Sequence, residues 1–138
     1  MENTNKLESG FRIKDLILVD SLFTRINNVS FGDGVNSCFD VNIGVEVKDK
    51  FITVAEEVTI SQKVQDIEQF KFQVRMIGVF ECIGDTQITD FDEFGRVNGA
   101  AIIFPYIREH VANISLKAGM GAIILPPINF TNNKKNEK

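Results

Sequence analysis

The stretch FPYIREHVANISLKAGMGAIILPPINF, Phe104 to Phe130, decides the fold. It reads as one helix, a glycine stop and an apolar extended arm broken by Pro126-Pro127. Pro105 suits a first helical position, where a missing N–H costs nothing. Gly119 suits the left-handed position just past a helix end. At about 100° per residue, Ile107, Val111, Ile114 and Ala118 share one stripe, and Ala112 and Leu116 fall nearly opposite. Tyr106, Glu109, His110, Asn113 and Lys117 occupy the remaining polar sector. A second apolar stripe points to a second packing partner. A lone exposed leucine is common, so the helix by itself leaves both readings of Leu116 open. If it is buried from two sides, Ile107, Val111, Ala112, Ile114 and Leu116 form the oligomer interface. The adjacent prolines exclude a central strand for the arm, because neither can donate a ladder hydrogen bond. Its apolar side chains are expected along a surface or rim.

The residues upstream read as strands that need this helix to pack on. From Phe11, apolar residues occupy both parities: Phe11, Ile13, Ile17, Val19 and Phe23 on one, Leu16, Leu18, Leu22 and Ile26 on the other. A strand buried on both sides does this, and so does one with a bulge that exchanges faces. Phe39, Val41, Ile43, Val45 and Val47 then alternate with polar residues or glycine, the pattern of a half-buried antiparallel strand. Lys48-Asp49-Lys50 suits a hairpin. A third strand is expected from about Phe51 to Val64, with Glu56 marking a kink in its apolar face. Gln65 to Gln69 reads as a polar turn, and a fourth strand follows from Phe70 to Phe80. Short polar turns between successive strands argue for an antiparallel meander. Thr86 to Arg96 fits a short helical turn or a loop. The fold class is therefore α+β: a four-stranded antiparallel sheet, one long helix and a proline-containing arm. The chain divides into a flexible lead, 1–10, a single domain, 11–130, and a polar tail, 131–138.

Composition narrows the function. The 138 residues are 43% hydrophobic and 25% charged, as in an ordinary globular domain. A net charge of −4 argues against nucleic-acid binding. Twelve Phe and no Trp make the aromatic surface apolar. Cys38 and Cys82 form neither a CxxC nor a zinc pattern, so reduced cysteines in a cytoplasmic protein are expected. No segment is apolar enough to span a membrane, and MENTNKLESG lacks the order of a signal peptide. The single histidine, His110, has no partner at catalytic spacing, and no GxxxxGK[ST] loop is present. The stretch with Asp85, Asp90, Asp92 and Glu93 lacks calcium-loop spacing. No enzyme, metal site or cofactor is indicated. The apolar aromatics and the arm suit a surface that binds extended apolar polypeptide.

At Phe104-Pro105-Tyr106-Ile107-Arg108-Glu109 and Leu125-Pro126-Pro127-Ile128-Asn129-Phe130 the chain resembles the SecB family of export chaperones. The strand from Phe11, with Asp20 and Phe23, is also similar, and the resemblance spans roughly Phe11 to Phe130. It implies an ATP-independent holdase for unfolded or export-bound chains. It also implies a homotetramer, a dimer of dimers with the helices layered between sheets. Hydrophobic client grooves would be lined by Phe70, Phe72, Ile123, Leu125, Ile128 and Phe130, with Phe39 and the arm prolines Pro126 and Pro127. Family members that dock to the SecA motor use an acidic patch on the sheet. Asp20 keeps one acidic position, but Thr24 and Gln73 replace others, beside Lys71 and Arg75. SecA is thus a weakened partner. The family's closing C-terminal helix is expected to be absent or vestigial. Two further readings stay open: a SecB-like chaperone dedicated to one partner, such as an antitoxin, and a carrier of a small apolar ligand such as a lipid.

Overall fold

A computed structural model describes residues 10–32, 34–83 and 90–133. The expected flexible lead, apart from Gly10, lies outside the described residues, as do Asp85 and the tail beyond 133. The strands are β1 (Phe11–Arg25), β2 (Asn36–Lys48), β3 (Phe51–Val64) and β4 (Ile67–Cys82). They form one antiparallel sheet in the order β1-β4-β3-β2. Strands β2 to β4 are a meander, but β1 lies against β4, which corrects the expectation of a simple four-strand meander. The chain after β1 crosses to the far edge. Polar side chains hold that crossing in place. Ile26 N–H donates to the Gln69 carbonyl at 2.9 Å, Ser30 N–H to Gln69 Oε1 at 2.8 Å, and Gln62 Nε2 to the Ser30 carbonyl at 2.7 Å. Gln62 and Gln69 are buried, so each needs these bonds.

The mixed parity of β1 has a bulge as its cause. The register with β4 shifts between Ile13 and Asp15 and again between Leu18 and Asp20. Each shift exchanges faces, so Ile13, Leu16, Leu18, Ser21 and Phe23 share the helix side although their parities differ. In β3 and β4 the alternation is regular, with every second residue from Ile52 to Gln62 and from Phe70 to Phe80 buried. No kink occurs at Glu56. The β3 register runs unbroken from Phe51 to Gln62 and shifts only at Lys63. The strand β4 begins at Ile67, earlier than expected. The hairpin turn is only Gln65-Asp66, both at positive φ (52° and 67°). Such a two-residue turn usually announces itself by Asn-Gly, and no glycine is present here.

The helix also begins earlier than expected. One α-helical turn, α1 (Phe91–Phe94), runs through a π-helical segment (Gly95–Gly99) into α2 (Ala100–Lys117). Asp90 caps the start, its carboxylate accepting from Glu93 N–H at 3.0 Å. Pro105 is therefore inside the helix and not at its first position. The carbonyl its ring strands belongs to Ala101, an exposed residue. Gly95 and Gly99 allow close contact with the sheet: a Cβ on Gly95 would meet Val45 Cγ1 at 2.8 Å, and one on Gly99 would meet Val54 Cγ2 at 3.0 Å. The helix stops at Gly119, φ 75°, as expected. Met120 N–H donates to the Ser115 carbonyl and Gly119 N–H to the Leu116 carbonyl, both at 3.1 Å, which is a Schellman cap. The core lies between α2 and the sheet. Ala100, Ile103, Phe104, Ile107 and Val111 face Val54, Val58, Phe72, Val74 and Phe80, all buried. Removing any large member to Ala is worth about 2–5 kcal/mol.

Candidate functional site

The arm leaves the helix at Gly119 and is tied down at three places. Ser115 Oγ accepts from Ile123 N–H at 2.8 Å while donating to the Ala112 carbonyl at 3.1 Å. Leu125 is buried in the core. Phe130 is buried too, its ring edge-on to Phe104 at 5.7 Å, and residues Phe130–Asn133 form a 3-10 turn beside the π segment. That turn extends past the expected domain limit at residue 130. The arm thus folds back along α2. Ser115 escaped the sequence reading because serine in a helix usually faces water. The signal available was its position, four residues after Val111 on the inward stripe.

The expected groove residues divide by accessibility. Phe72 is wholly buried, with Phe23 at 4.6 Å and Phe70 at 6.0 Å between ring centroids. Phe70, Leu125 and Phe130 are also buried within the protomer. Ile123 and Ile128 are half-buried, and Pro126 and Pro127 are exposed. Phe39 is 36% exposed and Ile124, absent from the expected set, is 69% exposed. The strand β2 is an edge, and its helix-side row of Phe39, Val41, Ile43, Val45 and Val47 is only partly covered.

The expected interface residues divide likewise. Ile107 and Val111 are buried against the chain's own sheet, and Ile114 and Ala112 are half-buried. Leu116 is 61% exposed and shares the outward side of α2 with the exposed Ile102 and Tyr106. His110 is occupied, its Nε2 lying 2.7 Å from Ser21 Oγ of β1. The edge strand β1 carries further exposed apolar residues, Ile17, Leu18 and Leu22 among them.

Asp20, Thr24 and Gln73 all lie on the sheet face away from α2. The rungs across β1, β4, β3 and β2 read Asp20–Arg75–Glu57–Asn42, Leu22–Gln73–Thr59–Asp40 and Thr24–Lys71–Ser61–Cys38. Gln73 Nε2 donates to Glu57 Oε2 at 2.6 Å. Acidic and basic groups alternate on this face, and a shallow depression of about 280 Å³ opens over Gly44 and Ala55 beside Glu57 and Arg75. At one end Glu81 joins Arg12 (3.3 Å) and Lys50 (3.2 Å), and these cations hold its carboxyl below the usual range, Lys50 most. Among the described residues no helix is long and apolar enough to cross a membrane.

Comparison with known proteins follows the same lines. The family model for the preprotein translocase subunit SecB matches residues 10–136. The protein-export protein SecB of Chromobacterium violaceum is 33% identical over 87 residues, covering 63% of this chain and 57% of that protein. The protein MJ0357 of Methanocaldococcus jannaschii is 32% identical over 96 residues, covering 65% of this chain and 61% of that one. The chain thus spans about six-tenths of the length of these relatives. Among solved structures, the SecB-like chaperone Rv1957 of Mycobacterium tuberculosis, in complex with a ChAD peptide from the Rv1956 HigA1 antitoxin, superposes with a TM-score of 0.73 at 13% identity. That match covers 94% of this chain and 98% of the other. A sheet in the order β1-β4-β3-β2, a helix ending at Gly119 and a returning double-proline arm therefore carry a matching sequence model along nearly their whole length, and the chain belongs to the SecB family.

Proposed function

We propose that this protein is an ATP-independent chaperone that holds extended apolar polypeptide on the helix side of its sheet. One observation carries the reading: the edge strand β2 presents a period-two apolar row, from Phe39 to Val47, that is only partly covered among the described residues. Half-buried Ile123 and Ile128 and the exposed prolines add apolar surface on the arm. An extended client gains backbone hydrogen bonds from an edge and burial from such a row, and neither depends on its sequence. Phe70, Phe72, Leu125 and Phe130 then form the floor that supports this surface. The exposed Leu116, Ile102 and Tyr106 fit the helix-layered homotetramer expected of the family. The clients proposed are unfolded or export-bound chains, met in the cytoplasm before translocation.

A second reading is that the chaperone serves one dedicated partner, such as an antitoxin. The alternation of Asp20, Arg75 and Glu57, with Lys71 beside Thr24, favours it. A face of mixed sign attracts a basic SecA segment less than an acidic one. Rv1957, which shares the fold, was solved with an antitoxin peptide.

The test is suppression of aggregation of several unrelated, slowly refolding proteins without ATP. Near-stoichiometric protection is expected, and the double variant Phe39→Asp, Ile124→Asp, both at accessible positions, should lose it without a large change in melting temperature. Protection of a single genomic neighbour alone would select the dedicated reading. No protection of any polypeptide, with a lipid co-purifying instead, would replace both readings with a ligand carrier.

A further inference from the structure

Glu56 lies at the centre of the helix-facing side of β3, on the rung Ile43–Glu56–Met76. It is 0% exposed, and neither carboxyl oxygen has a hydrogen-bond partner. Its neighbours along β3 on that face are Val54 and Val58, both wholly buried. The side of α2 that covers this face contributes Ile103, Ile107 and Val111, also wholly buried.

The charged groups of the surrounding elements are directed elsewhere. On β2, Asp40 and Glu46 are on the opposite face, as are Glu57 of β3 and Lys71, Arg75 and Glu81 of β4. On β1, Asp15 and Asp20 pair with outward residues, Arg12 joins Glu81, and Arg25 donates to the Ala118 carbonyl. On α2, Arg108 lies over the Phe104 ring, His110 meets Ser21, and Glu109 and Lys117 are exposed. Arg96 of the π segment pairs with Asp92 at 2.8 Å. The arm from Ala118 to Phe130 contains no titratable residue. Among the described residues nothing in this environment compensates a negative charge, whereas a neutral acid is tolerated at far lower cost.

We infer that Glu56 is a proton-controlled latch on the helix–sheet interface: protonated, it lets α2 seat on the sheet, and ionised, it forces that interface to admit water. A carboxylate in this position can be hydrated only if the helix–sheet interface opens, and Val54, Val58, Phe72 and Ile107 are buried in that interface. Burial alone pushes the Glu56 pKa up to about 8. The ionised fraction then rises from about 1% at pH 6 to about 90% at pH 9. The latch operates within the protomer and does not depend on what the chaperone binds.

The test uses the full chain, with two readouts. Carbon NMR of the labelled Glu56 carboxyl is expected to titrate with a midpoint near 8. A fluorescent probe of exposed apolar surface should rise in step between pH 7 and 9, and Glu56→Gln and Glu56→Met should abolish that rise. A carboxyl titrating in the ordinary range would overturn the inference, and this measurement requires no variant to fold. So would a probe profile in Glu56→Gln that superposes on that of the unmodified chain.

Discussion

Replacing Ser115 by Ala tests whether the arm is held by the helix. The Ser115 hydroxyl is wholly buried and accepts from Ile123 N–H at 2.8 Å. Its other bond, to the Ala112 carbonyl, duplicates what the helix ladder already provides. The variant therefore removes one acceptor from a half-buried amide and leaves it unpaired. The cost of such an orphan is about 1–3 kcal/mol, of which the arm bears nearly all because the helix keeps its ladder. At about 1.4 kcal/mol per factor of ten, the arm should open at least fivefold more often. Native-state hydrogen exchange reads this directly. The amides of Ile123 and its neighbours toward Leu125 should lose protection by about that factor, while Ile107 and Val111 amides keep theirs. Ser115→Cys, which retains a weaker acceptor, should fall between. If Ile123 exchanges at the same rate in Ser115→Ala, the hydroxyl does not pin the arm, and Leu125 and Phe130 hold it alone.

Three other outcomes are expected. Glu56 binds its proton up to about pH 8 in the folded chain but only up to about 4.5 when unfolded. The folded state holds more protons between those values, so stability is full below 4.5, falls by up to about 1.4 kcal/mol per unit as pH rises to 8, and then levels off. Glu56→Leu should flatten that slope in denaturant melts at pH 5, 6, 7 and 8. Leu116→Asp, on an exposed site, should leave the protomer folded but reduce the mass seen by native mass spectrometry; an unchanged mass would remove α2 from the interface. Thr24→Glu with Gln73→Glu should restore an acidic face and strengthen SecA binding at least tenfold at low salt, an effect that added salt should erase, as measured by titration calorimetry.

The elements were legible where one periodicity dominates. The alternation in β2 and β3 requires only that one face be buried, and Gly119 supplies the positive φ that ends the helix. Local signals misled elsewhere, at the helix start and the last hairpin as well as at Glu56 and in the strand order. Pro105 reads as a helix start because that is where a proline costs least, yet the helix begins at Asp90 and tolerates the ring inside. The turn Gln65-Asp66 adopts positive φ without glycine, since two long strands on either side over-determine it. In the candidate site, the two motifs located the arm, but burial reordered their members. Leu125 and Phe130 are buried in the core, while Pro126 and Pro127 and, outside the motifs, Phe39 and Ile124 are accessible.

The sequence by itself determined the element types, the stop at Gly119, the extended double-proline arm and the family, because each rests on local spacing or on a short motif. Tertiary structure alone decided the rest. It placed β1 beside β4, since a strand's neighbour depends on where a distant segment packs. It set Ser115 under Ile123, and it sealed Glu56 beneath α2 with no partner. A glutamate at an apolar position in a strand looks like an irregularity in one dimension. Only three-dimensional packing, which leaves it 0% exposed and its carboxyl oxygens without a hydrogen-bond partner among the described residues, makes it a buried acid.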